Sequence, residues 1–270
     1  VVPVPGALGS STPGGPSIEQ RQRIALLLGP PGLWLTVFFL VPLGIMAVFS
    51  FRAGSFGPER ELFTLDNYRQ FLHDAGAQRL LWRSTGMAFL TAAFCILLAY
   101  PLAYFLSFQA GTNRLTLLTV LIVPAWTSFL LRILAWKVIL GSTGALNSLL
   151  LWTGLIKETA PILLFSREAV IVALVYVWLP FVALPIFAGL ERIDRRLLEA
   201  AEDLGCRPWQ SFLRITLPLS FPGVLAGFLS VFIPTLGEYV TPLLVGGVNG
   251  IMYGNLIQDQ FFTANNWPFG

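Results

Sequence analysis

The side chains that could do chemistry are few, and they stand far apart along the sequence. The only histidine is His73, and the two cysteines are Cys95, inside an apolar segment, and Cys206, in a charged one. No His, Cys and carboxylate residues are spaced as in a metal site, so the sequence predicts no bound metal. No nucleophile is paired with a base as in an enzyme. The two cysteines are expected to be small packing residues.

The sequence also lacks a nucleotide-binding motif. A phosphate-binding loop needs a glycine-rich turn that ends in Gly-Lys-Ser or Gly-Lys-Thr. The only lysines are Lys137 and Lys157, and neither follows a glycine. The sequence therefore predicts a chain that binds no cofactor and does not itself hydrolyse ATP.

The densest group of charges forms an island at residues 191–218, between two apolar segments. Within this charged island Arg195, Glu199 and Asp203 recur every four residues, which places them on one face of a helix. The residues that predict an apolar face are Leu197, Leu198, Ala201 and Leu204. The pattern predicts a helix on a membrane surface that offers a face to a soluble partner. An interfacial helix without a partner fits it equally well.

Gly205 divides the charged island into two parts. It follows the last apolar position of the first helix, where a glycine with positive φ commonly ends a helix. Pro208 fits the first turn of a second short helix. Trp209 and Phe212 are expected to supply the apolar contacts of that helix. The charged island is thus predicted to be an elbow of two short helices.

The rest of the chain has the composition of a membrane protein. Of its 270 residues 55% are hydrophobic and 11% charged, whereas soluble domains carry about 25% charged residues. No basic stripe is present, which argues against a nucleic-acid partner. Residues 1–22, rich in Pro, Gly and Ser, predict a flexible tail, and 23–270 a membrane domain. Five apolar runs are long enough to cross a bilayer: about 32–51, 84–108, 115–140, 169–190 and 219–240.

The order of residues in the charged island is distinctive. It contains Glu199-Ala200-Ala201, then Gly205, Phe212, Ile215 and Pro218. In this order it resembles the EAA loop of binding-protein-dependent ABC importers, with Cys206 in place of the more usual alanine. Further segments look like the spermidine/putrescine class of importer permeases: Leu65-Asp66-Asn67-Tyr68, Ile122-Val123-Pro124-Ala125-Trp126-Thr127-Ser128, Arg132-Ile133, Gly237-Glu238-Tyr239-Val240, Gly254-Asn255 and Trp267-Pro268-Phe269-Gly270.

This resemblance implies an all-α transmembrane protein with the type I ABC importer permease fold and a sixth span after Gly270. It implies a multi-pass protein of the bacterial inner membrane with a cytoplasmic charged island. Arg21 and Arg23, before the first span, favour a cytoplasmic N-terminus. It further implies three partners: an ABC ATPase dimer that binds ATP and Mg²⁺, a second homologous permease, and an extracytoplasmic solute-binding protein. The implied coupling residues are Glu199, Ala200, Ala201, Asp203, Gly205, Phe212 and Pro218.

The substrate that the resemblance implies is a polyamine such as putrescine or spermidine. Glu238, near the outer end of the predicted fifth span, could attract an ammonium group, or form an ion pair with Arg132 or with the second permease. Arg132 could instead extend to the outer interface. The other candidates for the substrate path, chosen for cation–π contacts or hydroxyl groups, are Trp126, Thr127, Ser128 and Tyr239.

The sequence leaves two alternatives open. The same kind of permease could carry another small solute, such as an opine, a phosphonate or a ferric complex. A secondary transporter would need intramembrane carboxylates to couple solute to an ion gradient. In the predicted spans only Glu238 qualifies, and the charged island would then have no role.

Overall fold

The computed structural model describes residues 18–58, 62–156 and 164–270. Within these ranges the chain is helical, and the one β-pairing found there is an isolated bridge between Arg52 and Phe63. The predicted all-α class is therefore confirmed. Residues 1–17 of the predicted tail lie outside the described residues, and the first helix begins at Ile18. The chain divides into two units, residues 1–67 with 266–269 and residues 68–265 with 270.

The first unit is built on one long apolar helix. α1 (Ile18–Leu35) runs through a π-helical turn at Thr36–Leu40 into α2 (Val41–Ser50). The π turn lies just before Pro42, which has no N–H to donate to the carbonyl of Phe38 and whose ring needs the wider turn. The stretch Leu26–Ser50 is long and apolar enough to cross a membrane, in agreement with the first predicted span.

Two of the motif segments hold the non-helical part of the first unit. The Asn67 side-chain amide donates to the carbonyls of Ser50 and Arg52, at 2.9 and 2.8 Å. The Trp267 N–H donates to the Ser55 hydroxyl at 2.8 Å, and the Trp267 ring lies edge-on to Phe56 at 5.6 Å. Asn67 and Trp267 thus have structural roles that the sequence alone did not assign.

Three long helices form the core of the second unit. They are α4 (Ala75–Phe108), α8 (Arg167–Glu191) and α11 (Leu217–Leu236), with α3 (Asp66–His73) before them. Small residues allow close approach: a Cβ on Gly223 would lie 2.5 Å from the carbonyl oxygen of Pro185 and 3.3 Å from the Cα of Gly189. Such small-residue contacts are typical of helix packing in membranes.

The predicted third span, 115–140, is wrong as a single helix. α5 (Arg114–Ile122) passes into a 3₁₀ turn at Val123–Trp126, and α6 (Phe129–Leu140) begins after two extended residues, Thr127 and Ser128. Pro124 favours the break because its ring clashes with the preceding helical turn. The apolar stretch that is long enough to cross runs from Phe129 through α7 (Ala145–Trp152).

The predicted fifth span, 219–240, also has different limits. α9 (Arg195–Asp203) is a separate short helix, but α10 (Pro208–Ser211) continues through a π turn at Phe212–Thr216 into α11. Helix is therefore continuous from Pro208 to Leu236. The remaining elements are a 3₁₀ turn at Gly111–Asn113 before α5, a π turn at Pro242–Gly246, α12 (Gly247–Gly250) and α13 (Tyr253–Phe262).

Candidate coupling surface and membrane-embedded polar residues

The turn that ends α9 confirms the predicted role of Gly205. The Gly205 N–H donates to the carbonyl of Glu202 at 2.8 Å, and the Cys206 N–H donates to that of Ala201 at 2.9 Å. This pair of bonds is a Schellman motif, which needs a left-handed residue after the helix. Gly205 has φ +78°, and a Cβ there would meet nothing within 4 Å. Backbone conformation, rather than space, therefore selects glycine at this position.

The start of α10 confirms the predicted place of Pro208 but not a separate second helix. Pro208 stands in the first turn, and the Arg207 N–H donates to the side-chain oxygen of Gln210 at 2.9 Å. The π turn at Phe212–Thr216 lies just before Pro218. Because Pro218 has no N–H, it cannot donate to the carbonyl of Arg214 four residues earlier, and that carbonyl lies in the wide turn. The helix is therefore continuous from this turn into α11.

One arginine ties α9 to the end of α4. Arg195 donates from Nη2 to the carbonyl of Ser107 at 2.9 Å, and its guanidinium lies 5.9 Å from the Phe108 ring centroid. Nearby, Arg114 and Glu191 form an ion pair at 2.6 Å. Cations near a helix C-terminus are favoured by its unpaired carbonyls. Arg195 thus serves the bundle rather than pairing with Glu199.

The inner face of the charged island packs on aromatic residues of α4. Ala201 is buried. The Phe212 ring lies edge-on to Tyr100 and Tyr104, at 5.7 and 6.0 Å between centroids. The Tyr100 hydroxyl shares a hydrogen bond of 2.9 Å with that of Ser220. Phe212 therefore makes the apolar contacts that were predicted for it.

The outer face of the charged island combines acidic and apolar side chains. Glu199, Ala200 and Asp203 are exposed, as is Pro218 at the start of α11. Leu204 is 85% exposed and Trp209 58% exposed. The prediction that these two residues supply internal contacts is wrong. Arg195 and Ala201 turn the opposite face of α9 to the bundle, and in α10 it is Ser211 that is buried. Large exposed apolar groups ringed by charge are typical of a protein interface.

The break between α5 and α6 carries three of the predicted path residues. Trp126 is 82% exposed. The Thr127 hydroxyl donates to the carbonyl of Pro124 at 2.7 Å, so its own hydrogen bond is local. Ser128 begins α6 without a side-chain capping bond. Non-helical backbone within a membrane is tolerated only where it is buried in protein or lines a cavity.

Arg132 lies in α6, and its side chain is only 9% exposed. Its Nη1 donates to the carbonyl of Val177 at 3.3 Å. Its Nε is buried without a hydrogen-bond partner. The expected extension to the outer interface is therefore wrong. Arg132 and Glu238 form no ion pair either, because the Glu238 carboxylate bonds to backbone groups of its own segment.

Glu238 lies beyond the end of α11 rather than inside it. Its Oε1 accepts from the N–H groups of Val240 and Thr241, at 2.9 and 3.0 Å. The Asn255 amide donates to the carbonyl of Tyr239 at 2.8 Å, and a Cβ on Gly254 would lie 2.5 Å from the carbonyl oxygen of Glu238. Glu238 is half-buried and Tyr239 is exposed. The motif segments around residues 238 and 254 thus form one structural cluster.

Burial raises the pKa of the Tyr253 phenol, next to this cluster in α13. Among the described residues no three His, Cys, Asp or Glu side chains are grouped as a metal site would require.

Comparison with known proteins places this geometry among transport proteins. The family of binding-protein-dependent transport system inner membrane components matches residues 24–269. The spermidine/putrescine transport system permease protein PotB of Escherichia coli (strain K12) is 40% identical over 238 residues, covering 88% of this chain and 86% of the relative. PotB of Haemophilus influenzae is 39% identical over 254 residues, covering 93% and 86%.

Two further comparisons, one with a more distant relative and one of fold alone, extend this result. The putative 2-aminoethylphosphonate transport system permease protein PhnU of Salmonella typhimurium is 29% identical over 255 residues, covering 92% of this chain and 86% of the relative. A bacterial ABC transporter that imports the acidic polysaccharide alginate has a chain of similar fold. Its TM-score is 0.70 at 18% identity, and the match covers 93% of this chain and 88% of that one.

Proposed function

The chain belongs to the family of binding-protein-dependent transport system inner membrane components, and from this premise we propose that it is the permease subunit of a polyamine ABC importer. Identity of 40% to a spermidine/putrescine permease over most of both chains supports putrescine or spermidine as the solute. The observation that carries the proposal is the charged island, which is fastened to α4 on one side and exposes acidic and apolar residues on the other.

The exposed face of the charged island is the docking surface for a separate ATPase dimer, which binds ATP and Mg²⁺. Glu199, Ala200 and Asp203 supply polar contacts, and Leu204 and Trp209 the apolar ones. Gly205 gives the elbow its shape, while Ala201 and Phe212 hold it against the bundle. Pro218 sets the π turn through which α10 continues into α11.

The coupling is mechanical. Closure of the ATPase dimer on ATP displaces the elbow, and the continuous helix from Pro208 to Leu236 carries this displacement across the membrane. Arg195 carries it to α4 as well. The path then alternates between outward and inward access, because packed helices change between discrete arrangements rather than deform continuously.

The solute path includes the break before α6 and the cluster at Glu238. The exposed Trp126 ring offers a cation–π surface, with Thr127 and Ser128 beside it. The Glu238 carboxylate and the exposed Tyr239 ring offer a second place for an ammonium group. A linear dication such as putrescine is chemically suited to both.

The importer is completed by a second homologous permease and an extracytoplasmic solute-binding protein. The chain lies in the bacterial inner membrane with its N-terminus and charged island in the cytoplasm. This orientation is supported by Arg21 and Arg23 before the first span and by the requirement that the ATPase reach the charged island.

A second candidate solute is favoured by one observation. A relative at 29% identity is a putative 2-aminoethylphosphonate transport system permease protein. That solute is a zwitterion, whereas putrescine is a dication. Uptake of labelled putrescine into cells that carry the complete importer, with and without excess 2-aminoethylphosphonate, tests the choice. Putrescine uptake that spermidine inhibits and the phosphonate does not is the expected result. Putrescine uptake that the phosphonate inhibits and spermidine does not would favour the phosphonate as the substrate, and absence of putrescine uptake would contradict the polyamine assignment.

A further inference from the structure

The guanidinium of Arg132 is buried, charged and mostly unpaired. An arginine carries five N–H donors and stays protonated in proteins. Only one bond is formed here, from Nη1 to the carbonyl of Val177 at 3.3 Å, and Nε has no partner. Because a buried charge without a counter-charge is costly, this arrangement is incomplete in the isolated chain.

Arg132 contacts the inner part of α8 rather than one of its ends. Its contact Val177 lies ten residues after the start of α8 and fourteen before its end. At 1.5 Å per residue it is about 15 Å and about 21 Å from the two ends of that helix. Val177 therefore lies near the middle of α8, and the guanidinium of Arg132 is bonded to the inner part of that helix rather than to one of its ends.

A groove of about 370 Å³ opens beside Arg132. It runs between α4, α5 and α8, and Arg132 is the one charged side chain in its lining. The apolar lining includes Leu102, Phe105, Leu117, Val120, Leu121 and Leu179. This surface suits the side chains of a transmembrane helix.

We infer that this groove receives a transmembrane helix of the second permease, and that an Asp or Glu of that helix pairs with Arg132. A planar guanidinium can bind a carboxylate through two parallel hydrogen bonds. The Nε–H of Arg132 has no partner and can donate one of them. Among the described residues Arg132 has no carboxylate partner: Glu191 pairs with Arg114, and Glu238 accepts from backbone N–H groups. The inference rests on the proposed function, since it requires a second permease.

A photo-crosslinking amino acid at Val120, in the assembled importer purified from membranes, tests this assignment. The matched control is Leu97, which is exposed on α4 and outside the groove lining. The expected product joins Val120 to a transmembrane peptide of the second permease that contains Asp or Glu, and Leu97 does not form it. A product within this chain, or with lipid only, would overturn the inference.

A second experiment exchanges the two charges of the inferred ion pair. Arg132→Glu should lower solute uptake at least tenfold, and an Arg at the cross-linked carboxylate of the second permease should restore most of it. No rescue would contradict the pairing. Polyamine-stimulated ATPase activity of the unmodified complex distinguishes failure of this inference from failure of the proposed function. If the activity is present but the cross-link stays within this chain, the inference fails and the proposed function stands. If it is absent, the proposed function itself fails.

Discussion

Arg195 of α9 donates a hydrogen bond of 2.9 Å to the carbonyl of Ser107, in the last turn of α4. This bond joins the short helix of the charged island to a membrane helix that lies 88 positions earlier in the sequence. Chain continuity already links the charged island to α8 and α11. Arg195 adds the third long helix, so all three core helices are attached to the charged island.

Loss of this bond should uncouple ATP hydrolysis from transport. In Arg195→Gln the shorter neutral side chain no longer satisfies the Ser107 carbonyl. We expect uptake to fall at least tenfold, since a bond to a charged group contributes about 1.5–3 kcal/mol. The ATPase should still bind and hydrolyse ATP. The control is Arg196→Gln, at an exposed neighbour. Equal uptake by both variants would remove Arg195 from the coupling account.

Gly205 should tolerate asparagine and reject valine. Its φ is +78° and an added Cβ would meet nothing within 4 Å, so the effect of a substitution depends only on how readily the new residue adopts the left-handed backbone conformation. Asparagine adopts this conformation more readily than other residues, and a β-branched residue rarely does. Gly205→Val should weaken capture of the ATPase and uptake, and Gly205→Asn should retain both. Wild-type capture and uptake by the valine variant would contradict this.

Gly223 should be the position where an added methyl group damages the membrane bundle. A Cβ there would stand 2.5 Å from the Pro185 carbonyl oxygen, whereas one on Gly86 would meet nothing within 4 Å. Overpacking costs about 1–3 kcal/mol. Gly223→Ala should lower the thermal stability of the detergent-solubilised complex, and Gly86→Ala should leave it unchanged or higher. Equal melting temperatures would show that α8 and α11 can separate there.

Leu204 should act in docking and not in folding. Because it is 85% exposed, Leu204→Asp should leave expression and thermal stability unchanged while co-purification of the ATPase falls at least tenfold. Val248, at a comparable 84% exposure outside the charged island, provides the control Val248→Asp. A similar loss in both variants would point to a general surface effect.

Glu238 combines a capping role with a charge, and two substitutions separate them. Glu238→Gln keeps an oxygen that accepts from Val240 and Thr241, so stability should be retained while uptake falls at limiting polyamine. Glu238→Ala loses the cap too, at a cost of about 1 kcal/mol. Unchanged uptake by the glutamine variant, measured below saturation, would restrict Glu238 to its structural role.

Local signals in the sequence predicted the features that depend on neighbouring residues. A glycine after the last apolar position of α9 and a proline three residues later are enough to predict the turn at Gly205 and the start at Pro208. Features that depend on distant contacts were missed. Which face of α9 meets the bundle is decided by Ser107 and Phe108, so the exposure of Leu204 and Trp209 could not be read from the apolar stripe.

The third span shows the same limit inside the membrane. The run from Leu115 to Leu140 is apolar throughout, and a proline in such a run bends some membrane helices and breaks others. Here the chain extends over Thr127 and Ser128, and only packing decides that outcome. Likewise the burial of Arg132 depends on the Val177 carbonyl 45 positions away.

The most direct test of the central claim is the ATPase activity of the reconstituted complex with its solute-binding protein, measured with putrescine, spermidine and 2-aminoethylphosphonate in turn. The account predicts stimulation by the polyamines that is lost when Leu204→Asp prevents docking. Stimulation by the phosphonate alone would contradict the substrate. Failure of any ATPase to co-purify with the permease would contradict the role of the charged island, and with it the importer.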